Sequence, residues 1–202
     1  MSDEAFGEIL GKYVANVSSG VVARLAAHYR LLLRWNARIN LTKIDAGEEM
    51  VRRHYAESLF LSGFVPRGSR EVVDVGSGAG FPGVPIAVAR PELAVTLVES
   101  DQRKTVFLRE STLDLPQIRV DCRRMEATVG DVDVIVARAV DVASVQKFAF
   151  QRGRWLGVLT SEEIAAKFDW DVVTALPWKP SSVIAQFHVK PQPHLQEAKS
   201  LQ

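Results

Sequence analysis

Apolar and polar positions follow two different periods along this chain, and the change from one to the other divides it. Up to about Leu61 the spacing is helical. Val21, Val22, Leu25, Leu32 and Trp35 share one face of a helix that Ser18 or Ser19 can cap. Met50, Tyr55, Leu59 and Phe60 line a second helix running from about Gly47 to Leu61, and Asn40-Leu-Thr-Lys-Ile-Asp45, which has no period, reads as a connecting loop. Pro66-Arg-Gly-Ser-Arg70 marks a turn. From Glu71 onward, short apolar runs alternate with helical stretches. Strands are predicted over Val72–Val75, Ala94–Val98, Ile118–Cys122, Val132–Val136 and Trp155–Leu159, and helices over Pro82–Ala89, Gln102–Leu113 and Ala143–Phe150. Strands alternating with helices imply βαβ units and a largely parallel sheet. Trp170–Leu176 and Val183–Val189 read as a closing strand pair joined by Pro177–Pro180. The expected organisation is therefore a helical lobe over residues 1–66, an α/β domain over 67–190 and a flexible tail over 191–202.

Composition narrows the class without choosing a function. Of the 202 residues, 47% are hydrophobic and 24% charged, ordinary values for a globular protein. No apolar run reaches the roughly 18 residues of a membrane-spanning helix, and the acidic start Met1-Ser-Asp-Glu-Ala-Phe lacks the pattern of a secretory signal. The single cysteine, Cys122, allows no internal disulfide and no cysteine-based metal site, so a reducing, cytoplasmic setting and no metal are expected; the chain is also expected to be a monomer. A formal charge of +1 predicts no large field of one sign. Arg24, Arg30, Arg34, Arg38, Lys43, Arg52 and Arg53 nonetheless outnumber Asp45, Glu48 and Glu49 between residues 24 and 53, an excess that a solvated helix face also explains.

The chemistry concentrates in Asp74-Val-Gly-Ser-Gly-Ala-Gly80, a strand end followed by a glycine turn and a helix. Glycine there permits positive φ and a close approach of backbone to ligand; the plain alternative is a tight loop with no ligand. A dinucleotide fingerprint needs a third glycine at the position held by Phe81, and no Gly-Lys-Ser/Thr follows for a Walker A loop. The compact spacing of Gly76, Gly78 and Gly80 suits an adenosyl ligand without a pyrophosphate. Glu99 ends the second predicted strand, where a carboxylate can accept from both ribose hydroxyls; otherwise it is an exposed strand-end acid. Asp101 suits a helix cap better than a ligand.

Several segments in order resemble the bacterial 16S ribosomal RNA guanine-N7 methyltransferases known as the glucose-inhibited division protein B family. They are Trp35-Asn36, Ile39-Asn40-Leu41-Thr42, Arg53-His54-Tyr-Ala-Glu57-Ser58, Asp74 to Pro85, Glu99-Ser-Asp-Gln-Arg-Lys104, Arg124-Met125-Glu126 and Ala137-Arg138-Ala139. The prolines in Phe81-Pro82-Gly83-Val84-Pro85 are its most specific part. The resemblance implies a Rossmann-like class I methyltransferase, an α/β sheet of seven strands with helices on both faces and an N-terminal helical extension. It implies S-adenosyl-L-methionine as cofactor, with contacts at Gly76, Phe81, Met125, Glu126 and Arg138, and 16S ribosomal RNA or the small ribosomal particle as partner. On the residues alone, a solvated loop acid is the favoured reading of Glu126, while Arg138 is equally a structural partner of Asp74.

Guanine N7 carries a free lone pair, so methyl transfer to it needs alignment and no general base. His54 and Arg53 then suit RNA contact or lobe docking, and Asn40 suits RNA contact or a helix cap. With Arg34, Arg38, Lys43 and Arg52 they make the N-terminal lobe the expected phosphate-binding part. The chain departs from the family after about Gly153: the lysine-glycine pair usual at the end of the fifth strand is replaced by Thr160-Ser161. A methyltransferase with another acceptor, or a catalytically silent RNA-binding protein retaining the fold, are the competing readings. A nicotinamide-dependent oxidoreductase is disfavoured by Phe81.

Overall fold

The computed structural model describes residues 1–128 and 130–189, so the tail expected over 191–202 lies outside the described residues. The chain opens with α1 (Asp3–Gly11) and α2 (Ser19–Asn36). Of the two serines offered as caps for α2, Ser18 does it, its hydroxyl accepting the Val21 N–H at 3.4 Å. Leu25, Ala26, His28, Tyr29 and Leu32 form the buried stripe of that helix.

The second expected helix is broken into three parts: α3 (Glu48–Met50), a π-helical turn (Val51–Ala56) and α4 (Glu57–Ser62). At the end of the wide turn the Glu57 N–H bonds to the Arg52 carbonyl, five residues back. That extra residue per turn is why Met50 and Tyr55, five apart, share a buried face with Leu59, four further on. It also turns His54 and Tyr55 inward together. Asn40 does not cap this helix, because Gly47 holds the N-cap position and Asn40 stays exposed in the loop. The loop is held by Asn36, whose Oδ1 accepts the N–H groups of Leu41 and Thr42 at 2.8 and 2.9 Å.

The remaining elements alternate as expected: β1 (Glu71–Val75), α5 (Gly83–Ala89), β2 (Ala94–Glu99), α6 (Gln102–Ser111), β3 (Ile118–Cys122), β4 (Val132–Arg138), α7 (Val142–Arg152) and β5 (Gly153–Ser161). A short α8 (Glu162–Ala165) leads to β6 (Val172–Leu176) and β7 (Lys179–His188). The seven strands are ordered β3-β2-β1-β4-β5-β7-β6, with β7 antiparallel to both its neighbours and the other pairs parallel. The segment Pro177–Pro180 is not all connection, since Lys179 and Pro180 already belong to β7. Pairing with β5 begins only at Ser182 opposite Ser161, so the missing N–H of Pro180 breaks no bond on that side.

Both faces of the sheet are covered at its centre, which is why β1, β4 and β5 are mostly apolar and buried. Val72, Val95, Leu97, Val134, Val136 and Trp155 face a core shared with α1, α2, the π turn, α4, α5 and α6. Val73, Val75, Val98, Ile135, Ala137 and Leu156 face a second core under α7. Strand order reverses between β1 and β4, and the carboxyl ends of the parallel strands at that point are where open α/β sheets bind ligands.

Candidate active site

The turn after β1 has a backbone that other residues would strain. Gly76, Gly78 and Gly80 have φ of 67°, 56° and 88°. A Cβ on Gly76 would lie 2.6 Å from Val140 Cγ1, and one on Gly80 2.7 Å from Val84 Cγ2. The turn is fastened to the end of β2, where the Gly76 and Ser77 N–H groups both bond to the Val98 carbonyl. Glu99, next along, is 7% exposed; its two carboxylate oxygens accept the N–H of Gly78 at 2.9 Å and of Asp101 at 2.8 Å. Glu99 is therefore preorganised, and each oxygen keeps lone-pair capacity for a ligand hydroxyl. Asp101 caps α6, accepting from the N–H groups of Arg103 and Lys104.

A cleft of about 270 Å³ opens at these strand ends, bounded by Gly76, Glu99, Met125, Glu126, Val140 and Asp141. Four residues expected at a cofactor, Gly76, Glu99, Met125 and Glu126, are thus brought together, the last two on a short 3₁₀ turn (Met125–Ala127) after β3. Gly78 reaches the cleft through Glu99. Phe81 does not border it: its ring is buried, stacked on His54 with centroids 4.5 Å apart and edge-on to His28 and Tyr55. Asp141, which sequence reasoning missed, borders the cleft and caps α7 through the Ser144 N–H.

Arg138 ends β4 beside a second, larger cleft of about 700 Å³ that also holds Arg53, Thr160 and Lys179. Its partner is Glu57, at 2.9 Å, and it also donates to the Arg53 carbonyl; Asp74 is not its partner. The side chains of Glu57 and Arg138 are 4% and 13% exposed, and burial lowers the arginine's pKa although Glu57 opposes this. Val140 borders both clefts, so they meet at the end of β4. Just before it, Ala139 holds φ of 53°, a conformation that turns the chain between the two.

Asp74 is instead a structural post under the turn. It is fully buried, its Oδ2 accepts the Gly83 N–H at 2.9 Å, and its Oδ1 has no hydrogen-bond partner among the described residues. Burial pushes its pKa up to about 7. A Cβ on Gly83 would lie 2.6 Å from Asp74 Oδ2, so the Pro82-Gly83 pair lets α5 start directly on this carboxyl.

The candidate RNA residues divide by exposure. Asn40 and Lys43 lie exposed on the loop after α2, and Arg53 is half-buried at the larger cleft. His54 is buried rather than on an RNA-facing surface, because the π turn directs it at Phe81; its Nε2 shares a 2.8 Å hydrogen bond with Thr42 Oγ1. His28, on α2, lies beside it and bonds through Nδ1 to Tyr55 Oη at 2.8 Å. Burial, joined by the charges of Arg138 and Arg53, lowers His54 to about 3; burial lowers His28 to about 4. Both imidazoles are neutral pieces of the joint between helices and glycine turn. No periodicity marks out His28, which lies on the same α2 stripe as its apolar neighbours.

The sheet order, the glycine turn and a carboxylate at the end of β2 define a Rossmann-like class I methyltransferase fold. Among solved structures, cofactor-bound Rv0187 from MTB aligns over 95% of this chain and 99% of that one with a TM-score of 0.60 and 13% identity. The 23S rRNA methyltransferase ErmE aligns over 73% and 75% with a TM-score of 0.54 and 16% identity, a likeness of fold alone. The family model described as rRNA small subunit methyltransferase G matches residues 22–156, and this chain belongs to that family. It is 38% identical over 189 residues to the ribosomal RNA small subunit methyltransferase G of Stenotrophomonas maltophilia, covering 85% of this chain and 88% of the relative. Against the protein of that name from Nitrosomonas europaea it is 43% identical over 130 residues, which are 62% of this chain and 59% of the relative.

Proposed function

We propose that this protein transfers the methyl group of S-adenosyl-L-methionine to N7 of a guanine in 16S ribosomal RNA. The observation that carries the reading is the meeting of two clefts at Val140, one built on the glycine turn and one on the ends of β4, β5 and β7. The residues fit the cofactor: Gly76 leaves backbone room that a Cβ would fill, Glu99 would offer its carboxylate to a ribose, and Met125 and Glu126 would hold the adenine. When bound, the cofactor supplies an electrophilic methyl on a sulfonium. Gly78, Gly80 and Phe81 shape the turn and lock it to the helical layer. Arg138, held by Glu57, borders the acceptor side and orients the incoming base.

The acceptor nitrogen has its own lone pair, so no residue need remove a proton before attack. That fits a site in which both nearby histidines are buried and hydrogen-bonded. The chain's contribution is alignment of nucleophile, methyl carbon and leaving sulfur, a large share of the barrier in such displacements. Residues 1–66 act as the RNA-gripping lobe through Lys43 and Arg53, and residues 67–190 carry the chemistry, in a cytoplasmic monomer. No helix among the described residues is long and apolar enough to cross a membrane. The test is mapping N7-methylguanosine in 16S ribosomal RNA from cells with and without the gene. Loss of one modified guanine is expected; identical maps refute the assignment.

A further inference from the structure

We propose that Lys179, at the start of β7, is a phosphate-binding residue of the acceptor site, gripping the RNA backbone beside the target nucleotide. The inference rests on the reading of the chain as an RNA methyltransferase. The 700 Å³ cleft carries three cations, Arg53, Arg138 and Lys179. Arg138 is paired with Glu57 at 2.9 Å, and Arg53 lies 3.6 Å from Glu49. Lys179 borders the same cleft, is only half-exposed, and among the described residues has no carboxylate within ion-pair distance. Its ammonium makes no hydrogen bond or ion pair among the described residues, so its three donors are available to an anion.

Two features of the fold place that anion. Pairing of β5 with β7 ends at Ser161 opposite Ser182, so Lys179 lies beyond the ladder, past the carboxyl end of β5. The adjoining wall presents Thr160, Ser181 and Ser182, whose hydroxyls suit phosphate oxygens. Glu162 and Glu163, which follow β5 directly, also line the cleft, and Glu163 is occupied by Lys167 at 3.2 Å. A nucleotide with its base toward Val140 and Arg138 and its phosphate at Lys179 spans the cleft from the methyl donor outward. Phosphate contacts of this kind set register, while the base end carries specificity.

The test compares full-length protein with Lys179→Gln and Lys179→Arg. Binding of a 16S ribosomal RNA transcript is measured across salt concentrations, cofactor binding by calorimetry, and methyl transfer to small ribosomal particles lacking the modification. Lys179→Gln is expected to weaken RNA binding and raise KM about 5- to 10-fold with kcat within about 2-fold, and to reduce the salt slope by roughly 0.7–0.9, the value of one phosphate contact. Cofactor affinity stays constant and Lys179→Arg restores most of the loss. Unchanged RNA affinity and slope in Lys179→Gln overturn the proposal, as does an equal loss of cofactor affinity, which means a structural role. A wild-type protein that binds RNA with a Lys179-dependent slope yet methylates none supports the phosphate site and refutes the enzymatic reading. A wild-type protein that binds no RNA refutes both.

Discussion

The joint between helical layer and glycine turn makes the protein's stability depend on pH in a way that three residues determine. His54 and His28 are buried and lowered to about 3 and about 4. A histidine depressed in the fold contributes stability that is present above its unfolded pKa, about 6.5, and lost as pH falls toward the folded value. Asp74 acts in the opposite sense. Its pKa is raised to about 7, so its contribution is full below the unfolded value, about 3.9, and is lost as pH rises through 7. Between about pH 6.5 and 5 the unfolded chain therefore binds about two histidine protons that the native chain refuses, and the native chain keeps one aspartic proton that the unfolded one releases. The net is about one proton, or about 1.4 kcal/mol of stability lost per pH unit of acidification. Over that window this is about 2 kcal/mol, a sizeable part of the 5–15 kcal/mol typical of a domain. Urea unfolding at a series of pH values measures it directly. His54→Gln is expected to flatten the slope nearly to zero, and Asp74→Asn to double it. A slope in His54→Gln equal to that of the wild type refutes the account of a neutral, buried imidazole.

Three further outcomes follow from the site. Gly76→Ala places a Cβ at φ of 67° and 2.6 Å from Val140 Cγ1, so it should cost about 1–3 kcal/mol and weaken cofactor binding at least about tenfold by calorimetry. Glu99→Gln keeps the shape but leaves one of the Gly78 and Asp101 N–H groups facing an amide NH₂; cofactor affinity should fall about tenfold or more, as expected for a lost charge-assisted bond of about 1.5–3 kcal/mol. Glu57→Gln strands the Arg138 guanidinium, whose pair is nearly buried, and should lower stability by about 3 kcal/mol in denaturant titration. In the same variant, methyl transfer should suffer more than cofactor binding, because Arg138 borders the acceptor cleft and not the cofactor cleft.

The pairing of Arg138 with Glu57 links the end of β4 to the start of α4, and so ties the acceptor cleft to the helical layer. Phe81 does the same for the glycine turn by stacking on His54. Between them, one aromatic contact and one ion pair connect the layer that carries the basic residues to both clefts. The N-terminal helices thus position the site, and on the proposed function they also present charge to RNA.

Local properties are legible in the chain itself. The change of period at Glu71, the glycine turn, the caps at Ser18 and Asp101 and the acid ending β2 each depend on residues within a few positions of one another. Side-chain partners across 80 residues do not announce themselves that way. Arg138 with Asp74 is a reasonable pairing on two adjacent strand ends, but Asp74 is buried beneath the turn against the Gly83 N–H, and the arginine pairs with Glu57. His54 invites an RNA-facing role, yet the π turn, invisible to a search for regular helical spacing, rotates it inward onto Phe81. Lys179 reads as part of a proline-flanked connection, and only the reversal of β7 against β5 carries it to the mouth of the acceptor cleft. The sequence by itself determined the elements and the cofactor turn, because those rest on local backbone geometry. The acceptor side was decided by tertiary structure, because it is assembled from the ends of strands and helices distant in the chain.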